Sequence, residues 1–80
     1  MTTCEAVAER IKGLLAEKNM TQYRLEQNSG IQHGSMDCIL KAKNKSVQIN
    51  TIMMIANGFN MSFIDFLNHE LFFAEELELE

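Results

Sequence analysis

Proline and tryptophan are missing from this chain of 80 residues, and tyrosine occurs once. Without proline or any Gly- or Ser-rich stretch there is no obvious linker, so one small domain with a single core is expected. Cysteine is scarce: Cys4 and Cys38 lie far apart and form no CxxC pair or Cys/His cluster with zinc-ligand spacing. That argues against a disulfide scaffold and against a metal site, and leaves two reduced thiols. The opening MTTCEAVAERIKG is interrupted by charges and lacks the apolar run of a signal peptide or membrane span, so a cytoplasmic protein without membrane contact is expected. Lysine and arginine are absent after Lys45. The seven lysines and arginines precede Ser46 beside five acids, for +2, whereas six acids and no Lys or Arg follow, for −6. The chain is electrically two-sided, and its total of −4 conceals this.

Catalytic patterns are also lacking. A nucleophilic Cys or Ser needs an adjacent base, and neither His33 nor His69 belongs to a motif that predicts such a pair. Glu75 and Glu76 fall in a tail, and a short helical chain has little volume for a substrate cavity. No enzyme and no cofactor is expected, and His69 reads as solvent-facing.

What is present is helical periodicity. Val7, Ile11, Leu14 and Leu15 recur at i, i+4, i+7 and i+8, which predicts an amphipathic helix over Cys4 to Lys18, with Thr2 or Thr3 as its cap and Asn19 as its left-handed end. Thr21 caps a second helix through Leu25 and Asn28, which stops at Ser29 and Gly30. After Ile31, a third helix from Gln32 to Lys41 buries Met36, Ile39 and Leu40 and carries His33, Gly34, Asp37, Cys38 and Lys41 on its other side. KNKSVQ reads as a loop. Asn50 is the expected cap of a fourth helix with Ile52, Ile55, Ala56 and Phe59 inward. Ser62 and Asp65 open a fifth helix that buries Phe63, Phe66 and Leu67 and continues to about Ala74 before a frayed tail.

Five short helices with a tight turn between the second and third resemble the lambda-repressor-like, Xre/Cro-type helix-turn-helix family. The residues that carry the likeness are RIKGLLAEKNMTQYRLEQNSGI, then Met36, Ile39, Leu40 and Lys43, then INTIMMIANGFNMSFIDFL, about Val7 to Leu67 in all. The resemblance implies an all-α, compact five-helix bundle whose helices 2 and 3 form the helix-turn-helix. Residues 1–69 would make the domain and 70–80 a short acidic and apolar extension that dimerises or frays. It also implies a sequence-specific transcriptional regulator of bacterial or phage type that inserts its third helix in the major groove of double-stranded operator DNA. In that placement Gln22 contacts phosphate, Gly30 makes the turn, and Gln32, His33, Gly34, Asp37 and Cys38 face base edges. Lys41, Lys43 and Lys45 approach the backbone. Glu26 stands where the family has a small Ala, and Ala42 and Asn60 stand at usual glycine positions.

Two readings stay open for several of these residues. His33 either donates to a base or phosphate or is a solvated surface histidine, and the three lysines either meet phosphate or merely solvate a loop. Arg24 either joins them or pairs with a carboxylate on its own helix. Met53 and Met54 widen the fourth helix's stripe, and with Leu71, Phe72 and Phe73 they would build an apolar patch suited to a two-fold dimer. The alternative function is a helix-turn-helix scaffold used for protein–protein contact with weak or no DNA binding, which Glu26, Gly34, Asp37 and the acidic second half favour.

Overall fold

The capping chemistry decides where each helix starts and stops. The computed structural model describes residues 1–73 together with Leu77 and Glu78. Helix α1, Thr3–Glu17, opens on a capping box: the Thr2 hydroxyl accepts from the Glu5 N–H, and the Glu5 carboxylate accepts from the Thr2 N–H at 2.8 Å. Helix α2, Gln22–Ser29, has only half of that arrangement. The Thr21 hydroxyl accepts from the Arg24 N–H at 3.1 Å, and no carboxylate at position 24 answers it. Helix α3 spans His33–Leu40, helix α4 Ile49–Gly58 and helix α5 Phe63–Leu67, the last capped by Ser62.

Three of the helices end in the same way. After α1, α3 and α4 the chain turns through Asn19, Ala42 and Asn60, each at positive φ (52°, 53° and 59°). The N–H of each of these bonds a carbonyl of the last turn, and the next N–H reaches one residue further back, as Lys43 does to Cys38 at 3.0 Å. This six-to-one pairing satisfies carbonyls that a helix end otherwise leaves orphaned. Asn bears the left-handed conformation well, whereas Ala42 carries a steric cost of roughly 1–2 kcal/mol that a glycine would not.

Packing follows the apolar stripes. Helix α2 lies chiefly on α4, α1 on α3, and α5 on α4. Between them Val7, Ile11, Leu14, Leu25, Met36, Ile55, Phe59 and Phe66 are almost wholly buried. The radius of gyration is 11.6 Å, close to the roughly 12 Å expected of a folded chain this long. Helices α2 and α4 approach closely at Gly58, where an added Cβ would come within 2.9 Å of Leu25 Cδ1 and 3.0 Å of Ser29 Cβ. Asn28 adds a bond across the same seam, its side-chain amide donating to the Gly58 carbonyl.

The structure departs from the sequence reading at four places. Helix α4 starts at Ile49 with Gln48, not Asn50, in the capping position. Ile49 is 65% exposed, so its turn lies outside the apolar stripe and gave no periodic signal. Helix α5 stops at Leu67 instead of running to Ala74, which itself lies outside the described residues, and a short 3₁₀ turn at Glu70–Phe72 follows. Arg10 occupies the end of α5, its Nε donating to the Phe66 carbonyl (2.8 Å) and Nη2 to that of Asp65 (3.0 Å). His69 is half-buried, not solvent-facing, and its Nδ1 accepts from the Leu71 N–H. Finally, Glu78 is paired where fraying was expected. Its N–H donates to Met1 and its carbonyl accepts from the Thr3 N–H and hydroxyl, a parallel bridge beside α1. The other tail residues of that expectation, Glu75, Glu76, Leu79 and Glu80, lie outside the described residues.

Candidate nucleic-acid interface

The angle between α2 and α3 is set by apolar anchors on either side of the turn. Leu25, Ile31, Met36 and Ile39 are all buried. Gly30 sits at φ 79° and returns its N–H to the Glu26 carbonyl at 2.9 Å, closing α2 in a conformation that side chains resist. The Ser29 hydroxyl accepts from the Ile31 N–H, so the turn is bonded as well as packed. With that framework fixed, α3 presents its remaining side to solvent: Gln32, His33, Gly34 and Ser35 are exposed, and Asp37 and Cys38 half-exposed.

Glu26 is the residue this surface is built on. Its side chain retains only 10% exposure. Oxygen Oε2 accepts from Gln22 Nε2 at 2.9 Å and also lies 2.8 Å from His33 Nδ1. One carboxylate thus ties the first residue of α2 to the first residue of α3. The Gln22 hydrogen bond, ahead of the His33 contacts, holds the Glu26 carboxyl below the usual glutamate range, against a smaller opposing effect of burial. The carboxylate is satisfied at the seam between the helices by Gln22 and His33.

Asp37 and Lys41 form a second pair one turn apart, with Nζ 2.8 Å from Oδ2. The bond from Lys41 lowers the Asp37 pKa and, reciprocally, raises that of Lys41. Lys41 is therefore committed within its own helix, while Lys43 and Lys45 are exposed in the loop with no ion pair among the described residues. Arg24, exposed on α2, has no such pair either.

The outward face of α3 divides into two stripes. His33, Asp37 and Lys41 make a polar one that bonds back to α2 and along α3. Gln32, Gly34 and Cys38 instead line an open groove of about 710 Å³ between α3, the loop at Asn44 to Gln48, and the start of α4, where Met54 also lies. The residues expected to form an apolar dimer patch differ in exposure. Phe72 packs against the core, its ring 6.3 Å from that of Phe66, and Leu71 lies with the 3₁₀ turn that rests on α1. Met53 and Phe73 are exposed, and Met53 shares its face of α4 with Ile49, one turn earlier.

Glu26 was the functional candidate that sequence reasoning missed. Its spacing of four from Gln22 was a visible signal, since such pairs meet on a helix. Its reach to His33 crosses the turn and needs the three-dimensional angle. Comparison with known families matches residues 10–71 to the Cro/C1-type HTH DNA-binding domain. No curated protein and no solved structure gave a match. Among the described residues, no helix is long and apolar enough to cross a membrane.

Proposed function

The chain belongs to the Cro/C1-type HTH DNA-binding domain family, and from that premise we propose that it is a cytoplasmic transcriptional regulator that inserts α3 into the major groove of an operator. The observation that carries this reading is the exposed α3, held by the Gly30 turn and flanked by Arg24, Lys43 and Lys45 without carboxylate partners among the described residues. A groove about 12 Å wide admits one helix, and phosphate contacts on both flanks fix its register. Lys43 and Lys45 supply one flank. On the other, Gln22 keeps its second amide N–H for a phosphate while the first is bound to Glu26.

The base-facing set is Gln32, His33, Gly34, Asp37 and Cys38, with Gln32 and Asp37 the side chains richest in hydrogen-bonding capacity. We take it to act as a homodimer, with the exposed apolar positions of α4, Ile49 and Met53, as candidate contacts; half-sites about 34 Å apart would match successive major grooves. The test is titration of generic duplex DNA at low salt. Binding that weakens as salt rises is the expected result, and no binding at low salt would sink the reading. A protein-binding use of the same scaffold is the second reading. It is favoured by the engagement of Gln22, His33 and Lys41 with Glu26 and Asp37, which leaves fewer groups for DNA.

A further inference from the structure

The chain has two histidines, and they meet opposite partners. His69 Nδ1 lies 3.1 Å from the Leu71 backbone N–H, which can only donate, so that nitrogen must accept. His33 Nδ1 lies 2.8 Å from Glu26 Oε2, and an ionised carboxylate can only accept, so that nitrogen must carry the proton. In a neutral imidazole one nitrogen donates and the other accepts. The two rings, when neutral, are therefore opposite tautomers: His69 protonated at Nε2, His33 at Nδ1.

For His33 this has a consequence at the surface. Its side chain is 74% exposed, and it is the first residue of α3, the end from which side chains of a recognition helix reach base edges. In the neutral ring, with Nδ1 committed to Glu26, Nε2 is left with a lone pair and no proton. We propose that Glu26 is the positioning residue for His33, fixing neutral His33 in the Nδ1–H tautomer so that Nε2 accepts from the exocyclic amino group of a base, adenine N6 or cytosine N4. The base-reading half rests on the function proposed above; the tautomer half does not.

The arrangement also explains why a carboxylate occupies a position so near the expected DNA backbone. Gln22 and His33 both donate to the same oxygen, so the carboxylate's acceptor capacity is turned inward. Major-groove amino groups are donors, and the guanine edge presents acceptors at O6 and N7. An acceptor Nε2 is attracted to the first and repelled by the second. Asp37, the next residue along the same stripe, is likewise an acceptor, with its Oδ2 already bound by the Lys41 ammonium at 2.8 Å.

Nitrogen-15 NMR of the imidazoles in the full chain at pH 8, where free histidine is neutral, reads the tautomers directly. His33 is expected to show a protonated Nδ1 and a bare Nε2, and His69 the reverse. Glu26→Ala should return His33 toward the Nε2–H form and leave His69 unchanged, a response that loss of packing alone would not produce. A wild-type His33 protonated at Nε2, or one indifferent to Glu26→Ala, overturns the assignment.

The second arm uses the best duplex selected from a randomised pool. Replacing adenine by purine at each adenine in turn removes only the N6 amino group. At the position read by His33 the wild type should lose roughly two- to tenfold in affinity, the range of one hydrogen bond, and Glu26→Ala should lose less. The same comparison is made at cytosines with 2-pyrimidinone. Equal losses in both proteins at every position overturn the base-reading half. Selection that yields no bound duplex removes that half together with the proposed function, while the NMR result continues to decide the tautomer.

Discussion

Removal of the loop lysines gives a quantitative test of how α3 meets DNA. Lys43 and Lys45 are exposed and carry no ion pair among the described residues, whereas Lys41 Nζ is held 2.8 Å from Asp37. Each phosphate neutralised contributes about 0.9 to the dependence of log affinity on log salt. Loss of two contacts in a Lys43→Ala, Lys45→Ala double variant should therefore lower the slope by about 1.8. Between 50 and 200 mM salt the wild type would then lose about twelvefold more affinity than the variant does. Lys41→Ala should change the slope by less than one full contact, because its charge already answers Asp37. Its affinity should still fall for all sequences, since Asp37 is left uncompensated near phosphate. Fluorescence anisotropy with one labelled duplex across a salt series measures all three proteins. An unchanged slope in the double variant would refute the phosphate assignment. A full-contact change in Lys41→Ala would show instead that DNA displaces Asp37 from its partner.

Gly58→Ala tests the seam that holds α2 against α4. The added methyl meets Leu25, which has no exposed surface, and the Ser29 backbone 3.3 Å away. An overpacking cost of about 1–3 kcal/mol outweighs a helix-propensity gain of at most about 1, so thermal unfolding should shift down by several degrees; an equal or higher midpoint would count against the close approach. Glu26 predicts an acid response. Its carboxyl is held below the usual glutamate range by Gln22 and His33, so its contribution to stability is complete above that range and is lost as pH falls through the depressed value. Wild type should be more stable than Glu26→Gln at neutral pH, with the difference closing below about pH 4, and a gap constant with pH in thermal melts would contradict this.

The helices were legible where their apolar stripe and their boundaries coincide. Val7, Ile11 and Leu14 on α1, and Met36, Ile39 and Leu40 on α3, are spaced at the helical period and are buried. The Gly30 end of α2 was legible because one residue type suits one backbone conformation. Boundaries without such a marker were not. Ile49 opens α4 while facing solvent, so hydrophobicity misplaced the start by two residues. The Thr2 and Glu5 capping box was present in the sequence as a threonine with a glutamate three residues on, and went unread. The Glu78 pairing with Met1 and Thr3 runs through backbone groups, which no side-chain pattern announces.

The candidate site was less legible for a different reason: its character depends on which charges are already spent. Counted along the chain, the total of −4 argues against a polyanionic partner. Counted in space, Asp37 is answered by Lys41, and Glu26 by Gln22 and His33. Arg10 is engaged by the end of α5, and Lys12 lies 3.6 Å from Glu9. Among the described residues, the charges around α3 that form no ion pair are cationic: Arg24, Lys43 and Lys45. Screening limits the reach of exposed charges to about 8–10 Å at ordinary ionic strength, so the charges beside the helix govern its approach to phosphate more than the total does. The same accounting gives Glu26 its significance. A carboxylate at the junction of α2 and α3 would repel phosphate if it faced outward. Bound from two sides at the seam, it is instead turned toward Gln22 and His33.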